Sequence, residues 1–182
     1  MYKRQIGRSN LIEKNPSDKK RIVVVAGGSY LTKRIPYKLI WDLIRKDDYE
    51  YTLVGGGDVE RDVMDISKGN VMNQIGQLSI QESALQILQS DLVITGDTGM
   101  MHIAAALQKP IIVLWGSTAP EIGFYPYYGS DSKQRFISLQ NTKLSCHPCS
   151  KYGRPSCPKG HLECLNKISS KEVQRSILSL LG

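Results

Sequence analysis

The chain lacks any apolar run approaching the roughly 20 residues that cross a bilayer, and its first ten residues are polar rather than built like a signal peptide. A cytoplasmic protein is expected. Low-complexity tracts and internal repeats are missing too, which argues against a disordered or solenoid chain. At 182 residues there is room for one domain with a sizeable core and none for a second complete one. Aromatics make up 7% of the sequence, and few lie among the basic residues, so the stacking platform of a single-strand binder is not formed. Nucleic acid is not expected as a partner. A Walker phosphate loop is also absent, because no Gly-Lys-Ser/Thr follows the glycines.

What is present is an ordinary globular composition, 41% hydrophobic and 23% charged, with 24 Lys and Arg against 17 Asp and Glu for a net charge of +7. That excess favours anionic ligands without choosing among them. The basic residues are scattered, apart from the group Lys14, Lys19, Lys20 and Arg21. Met1 to Lys20 has no sustained period and reads as a linker or a truncated edge.

From Arg21 the chain alternates short β-branched runs with helical ones, the pattern of a parallel sheet wrapped by helices, a Rossmann-like α/β class. Arg21 to Ala26 is too continuously apolar for a one-sided strand and should be buried in the sheet. Pro36 suits the first turn of a helix carrying Leu39, Ile40, Leu43 and Ile44. Glu50 to Val54, Asp91 to Thr95 and Ile111 to Trp115 read as further strands. Short helices are expected near Asp58 to Ile66 and from about Gly99 to Gln108. Ser79 with Glu82, and Ser169 with Glu172, are capping boxes opening helices. The stretch Gly116 to Lys167, with Pro120, Pro126, Pro148, Pro155 and Pro158, reads as loop with little core.

Ligands of doubly wound sheets sit beyond the carboxyl ends of the strands, where helix amino ends present unpaired N–H groups to anions. Three loops fit. In Gly27-Gly28-Ser29-Tyr-Leu-Thr32-Lys33-Arg34, small residues admit a phosphate and Lys33 supplies charge; a tight turn with solvated cations is the plainer reading. In Gly96-Asp97-Thr98-Gly99-Met-Met-His102, the Thr98 hydroxyl and nearby N–H groups form an oxyanion-sized nest, or Asp97 and Thr98 simply cap the helix. His102 reads as a site residue or a packed histidine. In Gly55-Gly56-Gly57-Asp58-Val-Glu60, a carboxylate could accept bonds from ribose or serve as a helix-start acid. Cys146, Cys149, Cys157 and Cys164 fall within one loop with His147 and His161. That leaves a closed zinc site and reduced, packed thiols both open.

These pieces, in order, resemble glycosyltransferase family 9, the heptosyltransferases of the lipopolysaccharide inner core. The matching strings are Ala26 to Ser29, Thr32 to Pro36, Gly55 to Glu60, Leu78 to Glu82, Asp97 to Ala106, Gly116 to Pro120, and the cluster Cys146-His-Pro-Cys149, Cys157-Pro-Lys-Gly-His161 and Cys164. Ile35 departs from a tryptophan common in the family. The resemblance implies the carboxyl-terminal, donor-binding half of a GT-B enzyme, spanning 21–182, that moves heptose from an ADP-sugar with inversion and without a cofactor. It also implies that Lys33, Asp97, Thr98 and Gly99 hold the diphosphate with His102 close by, that Glu60 holds the ribose, and that Ser29, Thr32 and Thr118 border the donor. A catalytic base and the lipopolysaccharide acceptor would belong to a preceding domain, with peripheral contact to the inner membrane as an option. The alternatives are another GT-B nucleotide-sugar enzyme, taking a UDP-sugar or acting as an epimerase, and a non-enzymatic zinc-stabilised binding module.

Overall fold

The computed structural model describes residues 19–57, 59, 61–130 and 135–182. Most of the proposed leading linker, residues 1–18, therefore lies outside the described residues.

Six strands form one parallel sheet: β1 (Arg21–Val25), β2 (Glu50–Val54), β3 (Val71–Asn73), β4 (Leu92–Gly96), β5 (Ile111–Leu114) and β6 (Phe136–Leu139). Their spatial order is β3-β2-β1-β4-β5-β6, the doubly wound order whose direction of winding reverses between β1 and β4. The helices are α1 (Tyr37–Ile44), α2 (Arg61–Met64), α3 (Ile80–Gln89), α4 (Gly99–Ala106), α5 (Glu163–Asn166) and α6 (Ser170–Leu181).

The continuous Val and Ile runs are explained by burial on both faces. In β1, Ile22 and Val24 pack with Leu39, Ile40, Leu43 and Ile44 of α1 and with Val173 and Ile177 of α6. Val23 and Val25 face the other way, onto Ile87 of α3 and Met101, Ala104 and Ala105 of α4. Each such side chain, fully buried, contributes about 1.5–3 kcal/mol. The alanines of α4 let that helix lie close against the sheet, which carries its amino end to the carboxyl end of β4.

Several features differ from the sequence reading. The edge strands β3 and β6 were not expected: β3 is three residues long with Met72 exposed, and β6 is only half-buried, so neither shows a usable period. The stretch from Gly116 to Lys167 also contributes more core than its prolines suggest. Besides β6, it buries Ser117, Thr118, Ala119, Tyr128, Cys164 and Leu165. Pro36 sits at the N-cap of α1 rather than inside it.

Both capping boxes form. Ser79 Oγ accepts the Glu82 N–H and Ser169 Oγ accepts the Glu172 N–H, while each glutamate accepts the serine N–H at 2.8 Å. The backbone N–H of Ser169, then its hydroxyl, holds the Glu172 carboxyl below the ordinary glutamate value of 4.5. A lowered folded-state value means a contribution that is complete above the unfolded value and lost as pH falls through the folded one. Glu172→Gln is therefore expected to lower the urea midpoint at neutral pH, with the deficit shrinking steadily below about pH 4.5. Equilibrium unfolding of the two proteins across pH checks this, and a pH-independent deficit would contradict it.

The carboxyl ends of β4 and β5 meet a 3-10 turn, Leu31–Lys33. A Cβ on Gly96 would collide with the Lys33 carbonyl oxygen, and one on Gly116 with that of Thr32. The Ser117 N–H donates to the same Thr32 oxygen at 3.1 Å. Glycine at these strand ends is what lets the turn seat across the sheet edge, with Lys33 above β4.

Candidate functional site

A cavity of about 610 Å³ opens at the carboxyl edge of the sheet, over the point where the winding reverses. Its floor is Gly27, Gly28 and Ser29 after β1, with Asp97, Thr98 and Gly99 between β4 and α4. One end is made by Gly55 and Gly56 after β2 together with Leu78, Ile80 and Ser83 at the start of α3. The other holds Tyr30, Lys33, His102, Phe124, Lys151 and Tyr152.

Lys33 Nζ lies 2.8 Å from Asp97 Oδ2, with the two side chains 15% and 6% exposed. Oδ2 has no directed hydrogen bond among the described residues, so this is a close charge contact rather than an aligned bond. It links the two loops that the family resemblance assigns to one diphosphate site.

Thr98 is the N-cap of α4 in extended conformation, yet no side chain caps the helix. Of the two readings left open for this turn, side-chain capping does not form: Asp97 is engaged with Lys33, and the Thr98 hydroxyl pairs with Thr95 Oγ1 at 3.1 Å. The amino end of α4 therefore presents its first N–H groups to the cavity. Gly99, at that end, has open space where a Cβ would stand. Free N–H groups and the dipole at a helix amino end are features that can attract an anion. His102, one turn on, is exposed on the cavity wall and is not a packed core histidine.

Two expected donor-border residues sit elsewhere. Thr32 is buried; its hydroxyl donates to Arg154 O at 3.0 Å, accepts the Arg154 N–H at 2.8 Å and pairs with Ser117 Oγ at 2.7 Å. Thr118 is fully buried with its hydroxyl unpartnered among the described residues, and its carbonyl pairs with His147 Nε2 at 3.1 Å. Neither lines the cavity, because their polar atoms are committed to, or enclosed beneath, the cysteine loop. Glu60 lies outside the described residues.

That loop is anchored to the site. Cys149 and Ser150 N–H groups both donate to Ser117 O at 3.0 Å, and Arg154 is tied to Thr32 as above. Among the described residues, no three potential metal ligands come together at binding distance; Cys146 Sγ stands 4.0 Å from His161 Nε2. The thiols differ in character. The Cys157 value is lowered, first by the Leu162 N–H and further by those of Lys159, Gly160 and His161. Burial pushes Cys164 up to about 11.

Tyr30, Phe124, Lys151 and Tyr152 were missed from sequence. Lys151 Nζ sits 5.3 Å from the centre of the Tyr152 ring, and that ring lies 6.0 Å from Phe124. A Lys-Tyr pair inside the serine and glycine turn Ser150–Gly153 was the available signal.

A doubly wound parallel sheet with a cavity at its switch point is the architecture found in GT-B glycosyltransferases. The sequence pattern of glycosyltransferase family 9 (heptosyltransferase) matches residues 4–156. The chain belongs to that family. Lipooligosaccharide heptosyltransferase 2 of Haemophilus influenzae is 40% identical over 50 residues, which are 28% of this chain and 14% of that protein. Among solved structures, ADP-heptose lipopolysaccharide heptosyltransferase II of E. coli superposes with a TM-score of 0.66 at 20% identity over 91% of this chain. An E. coli heptosyltransferase solved with ADP gives 0.60 at 20% identity over 90%. These structures share the fold, and this chain spans about half their length, 47% and 45% respectively.

Proposed function

We propose that residues 21–182 are the donor-binding half of an inverting glycosyltransferase that moves heptose from an ADP-sugar to the lipopolysaccharide inner core. The observation that carries this reading is the uncapped amino end of α4 lining one cavity together with Gly27 and Gly28, with the Lys33 and Asp97 contact beside them. The diphosphate would lie on those N–H groups, and the nucleoside in the end formed by Gly55, Leu78 and Ile80. Glu60, following that glycine turn, is assigned to the ribose. The sugar would project toward His102 and the aromatic end.

In an inverting transfer an acceptor hydroxyl attacks the anomeric carbon opposite the diphosphate. The carbon–oxygen bond breaks, ADP departs with its electron pair, and a base takes the hydroxyl proton. Charge builds on the departing diphosphate, where fixed N–H dipoles and lysine stabilise it without rearrangement. The base and the acceptor site are assigned to a preceding domain. The E. coli heptosyltransferase solved with ADP supports the choice of nucleotide. Among the described residues no helix is long and apolar enough to cross a membrane, which is compatible with an enzyme working at the inner membrane's cytoplasmic face.

Isothermal calorimetry with ADP and UDP tests this. ADP should bind on the order of micromolar to millimolar, as expected for half of a two-sided site, and more tightly than UDP. A folded sample that binds UDP better would reassign the donor to another nucleotide sugar, and one that binds neither would remove the nucleotide from the cavity.

A further inference from the structure

Lys33 is the cation that the sequence points to, but its charge is already met. Asp97 Oδ2 lies 2.8 Å from it, and both side chains are largely buried. Together they bring no net charge to the cavity, whereas a diphosphate brings at least two negative charges. Dipoles at the end of α4 offset part of this.

Lys151 lines the same cavity, is exposed, and has no acidic partner among the described residues. It is placed by structure rather than left to sample solvent. Ser150 Oγ accepts the N–H groups of Tyr152 and Gly153 and donates to Gly153 O, closing a turn around Lys151. Gly153, at φ +107, packs that turn against Tyr30 and Lys33: a Cβ there would stand 2.7 Å from Tyr30 Cδ2 and 3.0 Å from Lys33 Cε. The turn's base is fixed by Cys149 and Ser150 on Ser117 and by Arg154 on Thr32. The Tyr152 ring then supports the ammonium from 5.3 Å, a cation–π arrangement.

Resting on the reading of this cavity as a diphosphate site, we propose that Lys151 is the unpaired cation that neutralises the terminal phosphate of the donor's diphosphate. Tyr152 positions it, and the cysteine loop is the scaffold that holds both at the cavity mouth. This gives the buried Thr32, Ser117 and Thr118 a common purpose, since they anchor the loop that delivers the charge.

The test is calorimetry with ADP and AMP on the unaltered chain, Lys151→Met, Lys151→Arg, Tyr152→Phe and Tyr152→Ala. Lys151 is exposed, so its variants should melt like the parent. Lys151→Met should weaken ADP about tenfold, as for loss of one partly screened charge contact, and leave AMP within about twofold. The preference for ADP over AMP would then shrink. Lys151→Arg should restore most of it. Tyr152→Ala should weaken ADP about two- to fivefold, with Tyr152→Phe near the parent, as for loss of one exposed cation–π contact. If the parent binds ADP and Lys151→Met binds it equally well, the role of Lys151 is overturned and the site reading stands. An equal loss for ADP and AMP also overturns it, because Lys151 would then not address the terminal phosphate. If the parent does not bind ADP, the site reading fails and this proposal with it.

Discussion

Gly96→Ala is expected to destabilise the protein by about 3 kcal/mol or more, the scale of a severe steric insertion into packed backbone. The added methyl would meet the Lys33 carbonyl oxygen, which is backbone and cannot swing aside as a side-chain end could. Relief requires the Leu31–Lys33 turn to lift from the sheet edge. That would break the Ser117 N–H bond to Thr32 O and separate Lys33 from Asp97. Chemical denaturation should show a much lower midpoint, and any folded remainder should bind ADP poorly. A variant with unchanged midpoint and affinity would contradict the close approach. Gly99→Ala is the natural comparison, since a Cβ there meets nothing.

Lys33→Met should produce two losses that separate in a second variant. Removing the ammonium leaves the Asp97 carboxylate 6% exposed without its cation, which costs about 3 kcal/mol when a pair is this enclosed. Adding Asp97→Asn removes the stranded charge, so the double variant should recover much of the stability; the two sites touch and their effects are not additive. ADP affinity should not recover with it. If the double variant is no more stable than Lys33→Met, the charge contact contributes little and the two loops are joined by something else.

The buried middle of the fold was legible in sequence for a simple reason. Arg21–Val25 and Ile111–Leu114 are uniformly apolar because both faces of a parallel strand are covered. Ser79 and Ser169 were readable because a capping box is a local device with fixed spacing. Edge strands have no such mark: Val71–Asn73 has one neighbour and an exposed Met72, so nothing in three residues announces it.

The candidate site was half legible. Glycine and threonine at strand ends located the crevice, and Lys33, Asp97, Thr98, Gly99, His102 and Ser29 all line it. Thr32 and Thr118 show why the rest was not. A threonine hydroxyl suits a ligand or a backbone partner equally, and only the packing of the cysteine loop decides between them. Lys33 and Asp97 lie far apart in sequence and meet only when β1 and β4 pair. Lys151 and Tyr152 sit in a stretch without period, so their arrival at the cavity depends on contacts from Ser117, Thr32 and Gly153 that no local pattern encodes.

The central claim is that the diphosphate lies between the β1 glycines and the amino end of α4. Amide chemical shifts recorded during an ADP titration test it most directly. The largest changes should fall on Gly27, Gly28, Gly99 and Met100, with the outer sheet edge at β6 and the far end of α6 silent. Saturating ADP that leaves the Gly99 and Met100 amides unmoved, or shifts residues away from this cavity instead, would contradict it.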